Sequence, residues 1–276
     1  MKKIIFIGHV SKDINQVKNT IQIIPGGGVY YGSFVAKSFS WETIVLTKGN
    51  YNDKELFKDM EEYGIKVIWK SSENTTSIKN IILTDNPDDR FSKIMSRADP
   101  FNINDIRNLE GDIIHISPLW FGEFPDELIE EVRKKAKIIG LDAQGFLRHI
   151  DNNGNMSYKD WEEKRKYLPL VDVFKVDARE AEILTEEKDM KRALKIISHY
   201  GPHEILLTYR DGIMLFVENN IYEEKFGKWN LEGRTGRGDT ALSSYIIHRH
   251  LGYEEALLKS ALITTEKMQR TGPFKL

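Results

Sequence analysis

The chain has 276 residues, of which 40% are hydrophobic, so it is long enough to bury one large α/β core. Charged residues make up 30% of the sequence and give a formal net charge of -2, which disfavours nucleic acid as a partner because such binders usually present a basic face. The absence of cysteine excludes disulfide bonds and thiolate metal sites.

The first predicted element is a buried strand over residues 4–7, which ends at Gly8. Its apolar run is too short for a signal peptide, and no stretch approaches the ~20 apolar residues of a membrane span, so we expect a cytoplasmic protein without a membrane partner. The residues that follow lack the Gly-x-Gly-x-x-Gly pattern of dinucleotide-binding folds, which disfavours a nicotinamide enzyme. The strand instead brings Asp13 to the rim where open α/β sheets bind ligands.

Two segments, at about residues 15–30 and 75–97, alternate in part between apolar and polar residues, as the strands of hairpins do. A turn is predicted inside the second segment, at residues 85–89. We expect the two hairpins to pair into a small antiparallel sheet that projects from the main sheet as a lid. The protein would then be a monomer, or a homodimer formed through this lid.

Three consecutive glycines, Gly26-Gly27-Gly28, precede Tyr30 and Tyr31 and lead into a helix predicted at residues 33–39. The glycines would let a ligand approach the main chain closely, and the tyrosines offer flat faces with hydroxyl ends. A plain turn with two half-buried tyrosines accounts for the same residues equally well.

The remaining chain alternates between predicted strands and helices. The strands lie at residues 43–47, 112–117, 138–142, 171–176 and 204–208, the helices at 53–63, 125–135, 191–200 and 254–269, and two antiparallel edge pieces at 213–217 and 222–226. This rhythm predicts an α/β fold with a mainly parallel central sheet covered by helices on both faces. Without a linker or repeat, residues 1–276 are expected to form a single domain.

The sequence Thr235-Gly236-Arg237-Gly238-Asp239-Thr240 opens an apolar run at helical spacing, which places Asp239 in the first turn of a buried helix. Main-chain N–H groups at such a start converge on one small volume and bind anionic oxygens. A carboxylate beside them can take a proton from an attacking hydroxyl, so the segment suits phosphoryl transfer. A loop with an acidic first turn would carry the same residues.

With these landmarks in order, the sequence resembles the ribokinase (PfkB-type) family of carbohydrate kinases nearly from end to end. The family signature Asp-Thr-x-Gly-Ala-Gly-Asp is similar to residues 233–239, its Gly-Gly motif to residues 26–28, and its Asn-x-x-Glu motif to residues 177–180. Residues 26–31 and 142–148 are similar to the archaeal myo-inositol kinase branch, and Tyr31 stands where sugar kinases commonly carry asparagine.

This resemblance implies a ribokinase-like fold and a kinase that uses ATP and Mg²⁺ to phosphorylate a small polyol or sugar, with a myo-inositol-like acceptor favoured. Asp239 would be the base, and the amides from Gly236 through Arg237 and Gly238 to Asp239 would form the anion hole. The acceptor would be held by Asp13, Gly27, Gly28, Tyr31, Gln144 and Arg148. The nucleotide would lie along Asp177, Thr208, Gly212 and Thr265, and Glu180 would organise magnesium through water.

The departures from the family pattern leave alternatives open. Gly233 and Arg234 replace the family's Asp-Thr pair, which often helps to hold a monovalent cation, so we expect potassium to matter little. Arg237 replaces a small residue, and we expect its side chain to extend into water rather than meet a phosphate. Arg148 would either bind an acidic sugar or pair with Asp142 or Asp151. A kinase of an acidic keto-sugar or a furanose, and a non-catalytic sugar-binding relic of the fold, therefore remain as alternatives.

Overall fold

The fold is that of a computed structural model, which describes residues 2–17, 20–82, 90–230 and 233–276. The turn predicted at residues 85–89 lies outside these ranges. The described strands, numbered in chain order, are β1 (Lys3–Ile7), β2 (Ser11–Val17), β3 (Thr20–Gly26), β4 (Glu42–Gly49), β5 (Lys66–Ser71), β6 (Thr76–Ile82), β7 (Arg90–Ser96), β8 (Gly111–Ile116), β9 (Ala136–Asp142), β10 (Arg148–Ile150), β11 (Met156–Tyr158), β12 (Val173–Asp177), β13 (Glu204–Tyr209), β14 (Gly212–Val217) and β15 (Asn220–Lys225).

The α-helices of the same ranges are mostly short. They are α1 (Gly28–Ser38), α2 (Lys58–Glu62), α3 (Ile103–Ile106), α4 (Leu128–Arg133), α5 (Gln144–Leu147), α6 (Lys164–Tyr167), α7 (Ala178–Thr185), α8 (Met190–Ser198), α9 (Arg237–His248) and α10 (Tyr253–Lys267). Across the described ranges, none of these helices has the length and apolar character needed to cross a membrane.

The central sheet confirms the predicted fold class. Within the described ranges, nine strands pair in the order β15-β14-β13-β12-β9-β8-β1-β4-β5. The run from β13 to β5 is parallel, and β14 and β15 add an antiparallel edge. Parallel strands must be covered on both faces. Accordingly, Ile5 and Ile7 of β1 pack into one core with α4, α7 and α8, whereas Ile4 and Phe6 pack into the other with α1, α9 and α10.

The small second sheet is also confirmed, with strand order β3-β2-β6-β7. Both hairpins are antiparallel, but β2 and β6, which join them, run parallel to each other. The reason is topological: β2 follows β1 and β6 follows β5, and both leave the carboxyl end of the main sheet in the same direction. We call this four-stranded sheet the lid.

Several element boundaries differ from the sequence-based expectation. The first helix begins at Gly28, so both tyrosines of the predicted turn lie inside α1 and are buried. Residues 53–63, predicted as one helix, divide into a 3-10 helix at Tyr51–Phe57 and α2. Strand β5, the β10–β11 hairpin and the short helices α3, α5 and α6 were not predicted, because elements of three to six residues carry too little periodic signal.

Candidate active site

The start of α9 forms the floor of the site. Gly236 precedes the helix with φ 83°, a left-handed conformation that favours glycine, and Asp239 lies in the first turn as predicted. A Cβ atom at position 236 would lie 2.3 Å from the ring of Tyr31, so this close approach also requires glycine. The Asp239 side chain keeps partial exposure, yet burial and the nearby Asp142 raise its pKa to about 6.

The start of α1 reaches the same point from the opposite side. A Cβ atom at position 28 would lie 2.7 Å from Oδ1 of Asp239 and 1.9 Å from Oγ of Ser117. Gly27 has φ 99°, and a Cβ there would lie 2.6 Å from the carbonyl oxygen of His9. The glycines therefore allow the two helix starts to meet around the carboxylate of Asp239.

Asp13 completes this side of the site. It accepts a hydrogen bond of 2.7 Å from the hydroxyl of Ser11, and a Cβ at Gly26 would lie 2.5 Å from its Oδ2. Tyr31 lies close to both carboxylates. Burial raises the pKa of its hydroxyl most, and the negative charges of Asp13 and Asp239 raise it further. The structure thus brings together the glycine motif, Asp13, Tyr31 and Asp239, as the sequence predicts.

Lys175 is a site residue that the sequence analysis missed. Its ammonium lies 3.2 Å from Oδ2 of Asp142, 3.5 Å from Oε2 of Glu180, and 3.1 Å from where a Cβ at Gly238 would stand. Burial alone would lower the pKa of Lys175, but Asp142 and Glu180 outweigh it and raise the pKa, which keeps the ammonium charged. A fixed cation therefore lies beneath the anion loop. The sequence signal that could have revealed this residue is the position of Lys175 between the apolar residues Phe174 and Val176 of β12.

Glu180 and Asp177 close the start of α7 as a reciprocal cap. The Asp177 N–H donates to Oε2 of Glu180 (2.7 Å), and the Glu180 N–H donates to Oδ1 of Asp177 (2.8 Å). Burial, followed by the charge of Asp177, raises the pKa of Glu180. Across the described ranges, no group of three His, Asp or Glu side chains is placed to hold a metal directly. Oε2 of Glu180 is already engaged by a main-chain amide, which fits contact with magnesium through water better than direct ligation.

A pocket of about 190 Å³ opens beside the anion loop. Its lining residues are Asp177, Ala178, Arg179, Thr208, Tyr209, Arg210, Trp229, Arg234 and Arg237. Arg237, expected to extend into water, lines this pocket instead and donates to the carbonyl oxygen of Arg210 at 3.5 Å. Burial and the neighbouring Arg234 lower the pKa of Arg237 to about 10.

Two of the residues predicted to bind the nucleotide, Gly212 and Thr265, do not line this pocket. Gly212 begins β14 opposite Tyr209, where a Cβ would lie 2.4 Å from the carbonyl oxygen of Glu224. On α10, the Thr265 hydroxyl accepts from the Gly227 N–H at 3.0 Å. Of the four residues predicted along the nucleotide, Asp177 and Thr208 therefore line the pocket, and Gly212 and Thr265 do not.

The remaining predicted acceptor residues, Gln144 and Arg148, are the first residues of α5 and β10, which follow β9. The Gln144 N–H donates to Oδ1 of Asp142 at 3.0 Å. Arg148 donates to the Tyr158 hydroxyl (3.2 Å) and to the carbonyl oxygen of Leu119 (3.3 Å). Arg148 is therefore bound differently from either alternative considered from the sequence, an ion pair with Asp142 or Asp151 or a contact to an acidic acceptor, and these bonds leave its guanidinium less available to such an acceptor.

A glycine-rich helix start above a buried lysine, with a carboxylate in its first turn and a pocket of arginines beside it, is the arrangement of an enzyme that transfers phosphoryl groups to alcohols. No protein-family model and no curated relative matches the chain. Solved structures do match. A pyrophosphate-dependent kinase in the ribokinase family, complexed with a pyrophosphate analog and myo-inositol, is 40% identical, with a TM-score of 0.93 over 99% of this chain and 97% of that one. The chain therefore belongs to the ribokinase family, and the expected class of carbohydrate or polyol kinase is confirmed.

Two further structures extend the comparison. A sulfate complex of a pyrophosphate-dependent kinase in the ribokinase family is 41% identical, with a TM-score of 0.94 over 99% of this chain and 97% of that one. In a third, at 40% identity and a TM-score of 0.92 over 99% and 95% of the two chains, leucines replacing one asparagine and one serine convert a pyrophosphate-dependent myo-inositol-1 kinase into a myo-inositol-3 kinase. An Arabidopsis thaliana ribokinase complexed with ribose and ATP shares the fold, at 16% identity and a TM-score of 0.76, with 99% and 94% of the chains covered.

Proposed function

We propose that this kinase transfers a phosphoryl group from pyrophosphate to a hydroxyl of a cyclic polyol such as myo-inositol. The observation that carries the choice of donor is the set of four arginines around one small pocket. Pyrophosphate has no base or ribose, so its affinity must come from charged hydrogen bonds. A guanidinium group can donate two parallel hydrogen bonds to two phosphate oxygens. The pyrophosphate-dependent kinases at 40% and 41% identity support this donor.

The electrostatics of the pocket favour a compact anion. Burial and the positive charge of Arg234 both disfavour the charged form of Arg237. The attractions of Asp177 and Asp211 offset these two effects only in part. A bound anion would relieve this opposition, because it places negative charge between the guanidinium groups. The pocket volume of about 190 Å³ is also below the roughly 300–1,000 Å³ typical of sites for drug-sized ligands.

ATP, the donor expected from sequence, is the second candidate. Trp229 lines the same pocket, and the face of an indole ring can stack on a purine. A nucleotide would need its ribose and base to extend beyond the arginines, along the open side of the pocket.

In the proposed reaction, the acceptor oxygen attacks the donor phosphorus, and the new O–P bond forms as the bridging P–O bond breaks. Phosphate leaves with the bonding electron pair, while Asp239 takes the proton of the hydroxyl. Lys175 and the amides of residues 236–239 oppose the negative charge that gathers on the transferred group. Mg²⁺, reached from Glu180 through water, would neutralise further charge on the donor oxygens. Asp239 and Glu180 are both present, which argues against a non-catalytic relic.

The acceptor would lie between Asp13, the glycine motif and the lid. Asp13 offers a carboxylate to ring hydroxyls, and Tyr31 offers a flat wall to the C–H face of a ring. On the lid, Asn80 donates to Asn15 (3.0 Å) and accepts from the Ser92 hydroxyl (2.7 Å). Asn80 pairs in register with Asn15 and Ser92, and Asn15 lies two residues beyond Asp13, so these side chains share the face of the lid on which Asp13 lies. This network would select the hydroxyl that faces the donor.

The test is a donor and acceptor matrix with product analysis. Pyrophosphate and ATP are compared at fixed free magnesium, each with myo-inositol, ribose, fructose and a ketogluconate. We expect the highest kcat/KM for pyrophosphate with myo-inositol. Arg237→Ala should raise the KM for pyrophosphate at least about tenfold, the effect of losing a bidentate ionic contact. Arg192→Ala, at an exposed position on α8, is the matched control. A higher kcat/KM with ATP would reject the proposed donor, and a higher value with ketogluconate or a furanose would reject the proposed acceptor.

A further inference from the structure

A second lysine is buried next to the anion loop, beside Tyr31. Lys267 is the last residue of α10, and its side chain has no exposure to solvent. Its ammonium donates to the carbonyl oxygen of Gly233 at 2.5 Å and lies 5.2 Å from the centroid of the Tyr31 ring. Among the described residues, no carboxylate oxygen comes within the 4.0 Å of an ion pair with it.

Burying this ammonium with few partners costs free energy, so its position calls for a functional explanation. An ammonium has three donors, and Lys267 satisfies one of them in the described structure. Burial lowers the pKa of Lys267 to about 8, and Asp239 counteracts that change. The titratable side chains that act on it are therefore Asp239 from α9 and Tyr31 from α1.

Gly233 ties this lysine to the anion loop. A Cβ at position 233 would lie 2.1 Å from the carbonyl oxygen of Met268 and 2.9 Å from that of Arg270, so the loop packs directly on the end of α10. Gly233 opens the segment that runs through Gly236 to Asp239. The ammonium thus anchors the first carbonyl of the segment whose amides form the anion hole.

We propose that the Lys267 ammonium acts as an internal monovalent cation, which holds the anion loop in its binding shape and supplies a fixed positive charge near Asp239. This inference rests on the proposed phosphoryl transfer. A free monovalent ion does not fit here, because Gly233 and Arg234 offer no side-chain oxygen and the Gly233 carbonyl is already bound. Lys267 is a positioning residue, since it acts through the loop and the base.

Two substitutions separate the charge from the hydrogen bond. Lys267→Gln keeps a donor for the Gly233 carbonyl, whereas Lys267→Met keeps only the packing. We expect both to lower kcat by about 10- to 100-fold, with KM for the acceptor little changed. Lys259→Met, at a more exposed position on the same helix, is the control and should leave kcat unchanged.

The pH profile gives a second readout. The wild type should lose activity above about pH 8, as the Lys267 ammonium deprotonates, and both Lys267 variants should lack this alkaline limb. Wild-type kcat in Lys267→Gln, or an unchanged alkaline limb in both variants, would overturn the proposal.

A rescue experiment remains informative if the enzyme shows no phosphoryl transfer at all. In Lys267→Ala, the truncated side chain leaves room for an ion, so potassium or ammonium should raise Tm relative to sodium at equal ionic strength. The wild type should show no such difference. A potassium-dependent Tm in the wild type, or none in Lys267→Ala, would contradict an internal cation whatever the substrate is.

Discussion

Lys175 and Asp142 face each other across the neighbouring parallel strands β12 and β9, with the ammonium 3.2 Å from a carboxylate oxygen. Both side chains are almost fully buried. A buried ion pair is weak evidence for stability by itself, because desolvation of two charges offsets their attraction. Its place beneath Gly238 fits the proposed function, in which the ammonium would face the transferred phosphoryl group while Asp142 keeps the lysine charged.

Removal of this ammonium should affect turnover and stability separately. Lys175→Met should lower kcat by about 10²- to 10³-fold and, because it leaves Asp142 uncompensated, lower the free energy of unfolding by about 3–5 kcal/mol. The double variant Lys175→Met/Asp142→Asn should recover much of the stability but none of the turnover. Urea unfolding and steady-state kinetics measure the two effects. Recovery of kcat in the double variant would show that Lys175 only neutralises Asp142.

Asp239→Asn should reduce kcat by roughly 10²- to 10⁴-fold, because asparagine cannot accept the hydroxyl proton. In the wild type, activity should rise with pH through about 6, since the base must first lose its own proton and its pKa is raised to that value. The residual activity of the variant should not show this acid limb. Kinetic pH profiles of both proteins check the assignment, and an acid limb that persists in Asp239→Asn would assign it to another group.

Glu180→Gln should raise the magnesium concentration needed for half-maximal activity by about 10- to 100-fold, the usual effect of an outer-sphere substitution. Glutamine retains an oxygen for the Asp177 N–H, so the start of α7 should stay capped. Magnesium titrations with each protein measure the effect, and Glu182→Gln on the same helix is the control. Superimposable titrations would remove Glu180 from the magnesium site.

The lid should control which hydroxyl is phosphorylated. Leucine at both Asn80 and Ser92 removes the hydrogen bonds that hold this polar face, so we expect the wild type and the double variant to give different phosphate regioisomers of inositol. Chiral analysis of the products measures this. Lys79→Leu, on the opposite face of the same strand, should leave the product unchanged. An identical isomer from all three proteins would place regiochemical control in the floor of the site.

Of the two oligomeric states left open by the sequence, a monomer or a homodimer through the lid, exposed apolar side chains on the lid favour the homodimer. Ile21, Ile23 and Met95 are 61%, 58% and 54% exposed, which is unusual for large apolar side chains grouped on one small sheet. We expect a homodimer in light scattering and a monomer for Ile23→Lys. A monomeric wild type, or a dimer that tolerates lysine at position 23, would exclude this surface.

The parts of the site that sequence reasoning found are those encoded locally. The apolar run at residues 4–7 predicted a central strand, and the glycine spacing before Asp239 predicted its helix start. Lys175 was missed because its partner Asp142 lies 33 residues away, and only the register of β9 and β12 brings them together. Asp177 and Thr208 of the arginine pocket were predicted to bind the donor, but the clustering of its arginines was missed for a similar reason, since they come from α7, the turn after β13, the loop before α9 and the first position of α9. Pairing between distant segments cannot be read from periodicity.

The contact between Gly28 and Asp239 limits how this enzyme can acquire new acceptors. A single added methyl group at position 28 would stand 2.7 Å from Oδ1 of Asp239, so the floor of the site cannot be enlarged or filled here without displacing this carboxylate. The lid face that carries Asn15, Asn80 and Ser92 has no such constraint, because it belongs to a separate sheet. Selection for altered substrates, in nature or in the laboratory, should therefore accumulate substitutions on the lid strands and leave the glycine motif unchanged.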